Sequence, residues 1–257
     1  MDSPLEHLAR RHPGPWGRVL DAGTGQASCS WLSRLPSQAW VAITREPSRA
    51  EGLRQRIALR PQDQILVGDW RDPELLRGQR FEVVVADYLL GACERYAPHF
   101  QEQLLERLCE HSSHWLYIIG QEPPEGEPEN EVDDWFQRVA RWRDGLQILS
   151  GRRPHRELPE GWVLQRMQGK SHRLVWSEHF ANTYDHDYLE RELGAMGHNL
   201  ESWSDRGLAQ VMRRQVHQLR RQGQALLEAH GGSLSWGWDY VLAFSAGPPV
   251  TADRPRD

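Results

Sequence analysis

The chain has 257 residues, 39% of them hydrophobic, and a formal net charge of −5. That length fits one large α/β domain or one domain with an insert. The negative balance offers no attraction to nucleic acid or anionic lipid, and no apolar run is long enough to span a bilayer. Cys29, Cys93 and Cys109 are odd in number and far apart, which argues against a disulfide framework and for a reducing compartment. The opening MDSPLEHLARRH has neither the apolar core nor the small-residue cleavage site of a secretory signal. A cytoplasmic location is therefore expected.

In chain order, residues 18–22 read as a buried strand, and residues 26–35 as a helix stopped near Pro36. Residues 39–44 form a second strand, and Pro47 and Ser48 open a helix running to about Leu59. Residues 64–68 are a third strand, and FEVVVAD, residues 81–87, is a fourth and the clearest. Phe100, Leu104, Leu105 and Leu108 recur at helical spacing, and WLYIIG, residues 115–120, is a fifth strand. Short apolar strands alternating with helices predict a parallel sheet covered on both faces.

Beyond Gly120 the pattern loosens. The acidic, proline-rich QEPPEGEPEN reads as a loop, and Trp135, Val139, Trp142, Leu146 and Leu149 mark an amphipathic helix over residues 133–149. Residues 151–160 are a second loop, and residues 173–178 a sixth strand. A helical stretch over residues 186–229 breaks near Gly197, residues 239–245 are a late strand, and GPPVTADRPRD reads as a frayed end.

The segment RVLDAGTGQASCSW concentrates the chemistry. Its strand ends on Asp21, and Gly23 and Gly25 follow. In a doubly wound sheet ligands bind beyond the carboxyl ends of the strands, and glycines permit positive φ and let a ligand lie on bare backbone. A dinucleotide fingerprint would need a third glycine at Ser28. It would also bring a pyrophosphate to the helix N-terminus, which Asp21 would repel. The acid favours a ligand carrying positive charge or hydrogen-bond donors.

The run Asp21, Ala22, Gly23, Thr24, Gly25, Gln26, Ala27 resembles the first motif of the class I S-adenosylmethionine-dependent methyltransferases, with alanine in place of the third glycine. The resemblance covers residues 16–122. It implies a doubly wound, mostly parallel, seven-stranded α/β sheet. On that view residues 1–122 are the cofactor-binding half of a single domain, residues 123–238 supply variable loops and a helical cap on the acceptor side, and residues 239–245 add the last strand. It also implies S-adenosylmethionine as cofactor. In this family an acid near the end of the second strand holds the ribose. Thr44 stands at that position here, with Arg45 and Glu46 following, so Glu46 is expected to take the role. Asp69 corresponds to the acid that meets the adenine amino group, with Trp70 facing the ring, and Asp87 and Tyr88 approach the methionine end.

The expected activity is methyl transfer to an oxygen, nitrogen or other nucleophile, with the protein supplying position and field. Tyr88 and His155 are the candidates for a base, and Glu122 reads as surface. The DYLL at the fourth strand lacks the Pro-Pro-aromatic run of the amino-directed subset. Seven tryptophans (Trp135, Trp142, Trp162, Trp176, Trp203, Trp236 and Trp238) favour a small, partly apolar acceptor over nucleic acid or protein. His179, Asp185, His186 and Asp187 match no tight metal spacing and read as a loop with an Asp helix cap, so no metal is expected. Arg213, Arg214, Arg220 and Arg221 read as a solvated helix face. The rivals are a catalytically silent cofactor-binding or scaffold subunit, and an NAD-type oxidoreductase, which Asp21 and Ser28 disfavour.

Overall fold

A computed structural model describes residues 3–246, and the terminal GPPVTADRPRD segment lies outside the described residues. The chain divides into two compact units. The described residues of the first are 3–122, 156–179 and 239–246; the second comprises 123–155 and 180–238. Residues 156–179, expected in the cap, thus belong to the first unit.

The sheet has seven strands in the order β3-β2-β1-β4-β5-β7-β6. They are β1 (Arg18–Asp21), β2 (Ala39–Thr44), β3 (Gln64–Val67), β4 (Phe81–Asp87), β5 (Ser112–Gln121), β6 (His172–Tyr184) and β7 (Leu234–Ala246). The first five are mutually parallel, and β7 runs antiparallel to β5. In β4, Phe81 and Val83 to Ala86 are each at most 1% exposed. A strand covered on both faces needs a continuous apolar run, which is what β4 carries. The order reverses beside β1, whose neighbours are β2 and β4. Such a switch point opens a crevice at the carboxyl ends of the strands.

The helices of the first unit are α1 (Pro4–Arg11), α2 (Gln26–Leu32), α3 (Pro47–Arg56), α4 (Leu89–Tyr96), α5 (Gln101–His111) and α7 (Glu160–Met167). Three of them, α1, α4 and α7, go beyond the sequence reading. The start signal of α1 is local: the Ser3 hydroxyl accepts from Glu6 N–H at 3.3 Å and proline occupies the first turn. The helices α2 and α3 each end three residues short of expectation, at Leu32 and Arg56. The strand β6 continues to Tyr184 through residues expected to be loop, alternating between exposed and half-buried positions as an edge strand does.

The second unit holds α6 (Glu131–Leu149), α8 (His186–Asn199), a 3₁₀ turn (Leu200–Ser202) and α9 (Arg206–Ala229). Asn130, Asp185 and Asp205 cap the three helices, each accepting a backbone N–H at 2.9 Å. Its core is aromatic and aliphatic, with Trp135, Phe136, Leu189, Leu193, Trp203 and Leu219 among its buried members. Gly223 sits inside α9 because a Cβ there would lie 2.4 Å from the Trp135 ring. The tryptophans are committed to this packing. Trp135 donates to Leu219 O at 2.9 Å, Trp203 to Ser150 Oγ at 2.9 Å, and Trp236 to Asp133 Oδ1 at 2.7 Å. Trp236 also stacks on Phe136.

Candidate functional site

The carboxyl end of β1 delivers Asp21 into the first unit's switch point. Its Oδ1 accepts from Gly23 N–H at 3.4 Å, while Oδ2 is sealed from solvent and has no hydrogen-bond partner. The residue is 1% exposed. Burial pushes its carboxyl upward, and the Thr24 and Ser28 hydroxyls and the Gly23 amide oppose that only in part. An ionised oxygen buried without a partner is costly unless a donor or a cation arrives.

The turn behind Asp21 is anchored from three sides. Ala22 N–H donates to Val85 O at 2.8 Å, Thr24 N–H to Ile43 O at 2.7 Å, and Gly25 N–H to Ser28 Oγ at 2.9 Å. Neither glycine adopts positive φ, so their role is space rather than backbone freedom. A Cβ at Gly23 would meet Leu89 Cδ1 at 2.6 Å, whereas a Cβ at Gly25 would stand in open space. Gly23 is therefore required by packing within the protein. Gly25 leaves a bare stretch of backbone at the N-terminus of α2.

Trp70 lies beneath this turn. It is 8% exposed, donates its indole N–H to Ala22 O at 2.7 Å, and packs against His111 and Arg107. The ring expected to face an adenine is thus a strut under the glycine turn. Arg107 holds the same segment by donating to the carbonyls of Trp70, Asp72 and Leu75.

On the β2–β3 side the acids are paired. Asp69 accepts from the Arg71 guanidinium at 2.7 Å and lies 3.1 Å from Arg45 Nη1. The Arg71 hydrogen bonds, with Arg45 adding to them, hold its carboxyl down at about 2. Arg45 also donates to Tyr96 O at 2.9 Å. Thr44 is buried, its hydroxyl accepting from Glu46 N–H at 3.3 Å, and it carries no charge to the β2 tip. The acid there is Glu46, which accepts from the Tyr96 hydroxyl and from Arg49, and the Tyr96 bond keeps it below the usual carboxylate range.

On the β4–β7 side a second group of acids gathers. Asp87 Oδ1 is sealed from solvent and has no partner, and burial, with Asp21 and Asp239 adding to it, pushes its carboxyl up to about 7. Tyr88 takes a left-handed conformation at φ 48°, which costs a bulky residue about 1 kcal/mol or more. Two hydrogen bonds offset that cost: Tyr88 N–H to Ile119 O at 3.0 Å and Tyr88 hydroxyl to Asp239 Oδ2 at 2.5 Å. Burial and the adjoining Asp239 drive the phenol far above its ordinary range. Tyr88 therefore keeps its proton and acts as a donor, which runs against the expected role as a base.

The remaining candidates fall elsewhere. Glu122 caps α7, its carboxylate accepting from Glu160 N–H at 2.8 Å. His155 is exposed and lies in the second unit. His179 pairs with Glu160 at 2.7 Å, Asp185 serves as the α8 cap, and His186 and Asp187 sit in the first turn of that helix. Among the described residues no group of three or more His, Cys, Asp or Glu side chains is placed to hold a metal ion, and no helix is long and apolar enough to cross a membrane. The cysteines are free and buried.

Asp239 is the functional candidate that sequence reasoning passed over. It stands opposite Gln121 in the β5–β7 register, and Gly120 beside it lets Tyr240 cross the strand, since a Cβ there would lie 2.3 Å from the Tyr240 hydroxyl. That hydroxyl donates to Leu158 O at 2.8 Å. The available signal was an acid at the head of the late apolar strand DYVLAFS, but its partner is fixed only by the antiparallel pairing.

The strand order, the parallel first five strands and the antiparallel β7 define the class I methyltransferase fold. No family profile and no curated protein matches the chain. Solved structures do. A Bacillus halodurans protein whose methyltransferase assignment is itself provisional aligns at TM-score 0.62 and 15% identity, over 96% of this chain and all of that one. A SAM-dependent methyltransferase from Thiobacillus denitrificans, solved with S-adenosyl-L-homocysteine, aligns at 0.52 and 14%, over 95% and 92%. A cyclopropane synthase from Mycobacterium tuberculosis aligns at 0.53 and 15%, over 94% and 82%. At such identities the likeness is one of fold.

Proposed function

We propose that this chain is an S-adenosylmethionine-dependent methyltransferase whose cofactor lies along the carboxyl edge of β3, β2, β1 and β4. One observation carries the reading: at the switch point of this fold, Asp21 and Asp87 each present a buried carboxylate oxygen that nothing in the protein satisfies. A ligand with an ammonium group and a neighbouring sulfonium fits that deficit, and a pyrophosphate does not. The open space over Gly25 fits the same ligand, because it lets a nucleoside approach the backbone.

When bound, the cofactor supplies an electrophilic methyl group on sulfur. The residues of the chain hold, orient and polarise. Asp21 and Asp87 accept hydrogen bonds at the cationic end. Glu46, already oriented by Tyr96, faces the ribose position, and Asp69, fixed by Arg45 and Arg71, takes the adenine side. Tyr88 fixes Asp239, whose charge acts on Asp87. No base is assigned, since alignment of a good nucleophile with the methyl group supplies on the order of 7–11 kcal/mol by itself. The acceptor in this reading is a small molecule, supported by the net charge of −5, which offers polyanions no attraction. The tryptophans of the second unit's core no longer argue for an aromatic acceptor, being bound into its packing.

Titration calorimetry with S-adenosylmethionine, S-adenosylhomocysteine and NAD tests the assignment. Micromolar binding of the first two and none of the third is expected; NAD binding with no response to the other two would replace the reading with an oxidoreductase.

A further inference from the structure

Asp21 ends β1 and Asp87 ends β4, and these strands are adjacent in the sheet. Each carries an oxygen that is sealed from solvent and lacks a hydrogen-bond partner. The groups around them add negative charge or none. Asp239 comes from β7 and Tyr88 follows β4, its hydroxyl occupied by Asp239. Glu157, in the segment before α7, acts on Tyr88, and the Cys29 thiol of α2, pushed up to about 11 by burial and then by Asp21, remains protonated. Thr24 and Ser28 offer Asp21 only neutral hydroxyls. With a sealed, unpartnered oxygen on each acid and no cation beside them, ionising both at once is disfavoured.

We infer that the Asp21–Asp87 pair retains a proton in the free protein and releases it to solvent when the ammonium end of the ligand arrives, with Asp239 setting the pH window of that release. The step balances simply: one carboxyl O–H ionises, the proton leaves to buffer, and the new carboxylate charge is matched by the ligand's cation. The Asp21 charge adds to the burial that raises Asp87, so protonating one acid eases ionisation of its neighbour. The upward displacement of both carboxyls, to about 7 for Asp87, agrees with this placement of the proton. The inference rests on the proposed cofactor site.

The test is calorimetric titration of S-adenosylhomocysteine into the whole protein, in buffers of equal pH and different ionisation enthalpy. About half a proton should be released per ligand at pH 7, more at pH 6 and nearly none at pH 8.5. Affinity should weaken toward acid, approaching tenfold per pH unit below pH 6, and level off above pH 8. 5′-Methylthioadenosine, which shares the nucleoside but lacks the ammonium group, should bind without releasing a proton. In Asp239→Asn, with one neighbouring charge gone, the release should shift toward lower pH by about one unit. S-adenosylhomocysteine binding with no proton release between pH 6 and 8 would overturn the inference and leave the cofactor site standing. Equal release with methylthioadenosine would also overturn it. Failure of both nucleosides to bind would remove the cofactor site and the inference together. The wild-type buffer series decides the question even if Asp239→Asn does not fold.

Discussion

Two pairs of acids line one edge of the same sheet, and their surroundings differ. Glu46 and Asp69, at the tips of β2 and β3, are half-exposed and already engaged by Tyr96, Arg49, Arg45 and Arg71. Both stay ionised with the protein's own partners. Asp21, at the tip of β1, is sealed from water, and Asp87, at the tip of β4, is half-buried; each has one sealed oxygen left over, and both are pushed toward the neutral form. The first pair is internally complete and can only orient a ligand. The second pair is incomplete, and a ligand that completes it gains what the free protein lacks.

The sharpest way to break this comparison is Asp21→Asn, which keeps the shape and removes the charge. Affinity for S-adenosylhomocysteine should fall about 100-fold, the scale of losing one partner of a desolvated charge pair. The thermal midpoint should hold or rise, because a buried unpaired acid no longer has to be accommodated. Calorimetry and a melting curve on the same preparation read both; undiminished affinity would show that Asp21 meets no ligand cation.

The pH dependence of stability separates the pairs without any ligand. Asp87 has a folded value above its unfolded one, so the native state holds the extra proton. Stability from this group is fully present below about pH 4 and is lost as pH rises toward about 7. The loss is on the order of 2 kcal/mol. Glu46 and Asp69 have the opposite sign, and their contribution disappears only as pH falls through their lowered values, near 2 for Asp69. Chemical unfolding at pH 5 and pH 7.5 should therefore show wild type weaker at the higher pH and Asp87→Asn nearly level. A wild type that strengthens over that interval would place the proton elsewhere.

The two glycines extend the contrast to backbone. Gly25→Ala should weaken S-adenosylhomocysteine about tenfold and leave stability within about 0.5 kcal/mol, since its Cβ enters open space that a ligand would use. Gly23→Ala should instead lose about 1–3 kcal/mol of stability, because its Cβ strikes Leu89. Measuring affinity and unfolding for both variants shows whether the two losses divide as the packing requires.

Much of this was legible in the residues, for physical reasons that can be named. The strands β1, β2 and β4 bury both faces, so VL, WVAI and FEVVVAD announce themselves as apolar runs. Asp21 and its glycines sit consecutively at a strand end, so the turn is local and readable. Trp70 and Asp239 are different. Whether Trp70 faces a ligand or supports Ala22 depends on a contact 48 positions away in the chain, and the bond from Tyr88 to Asp239 spans 151. Residues 123–155 and 180–238 gave periodicity but not partners, and the tryptophans there read as surplus until Gly223 and Leu219 showed what they pack against. The short helices α4 and α7 escaped because neither N-cap residue, Tyr88 or Pro159, caps with its own side chain; α7 is capped instead by Glu122, 38 positions away.

The smallest effect is expected at Asp69. Asp69→Asn dissolves two partly exposed ion pairs, with Arg45 and Arg71, which together contribute no more than about 1 kcal/mol to stability. The amide oxygen can still accept one hydrogen bond from an adenine amino group, so affinity for S-adenosylhomocysteine should fall no more than about fivefold, the scale of one neutral hydrogen bond. Raising the salt concentration should shrink even that difference, because the arginines that hold this acid are reached by solvent. A loss near 100-fold, insensitive to salt, would mean that the arginine-held acid meets the ligand as directly as Asp21 does, and that pairing inside the protein does not predict which carboxylates a ligand needs.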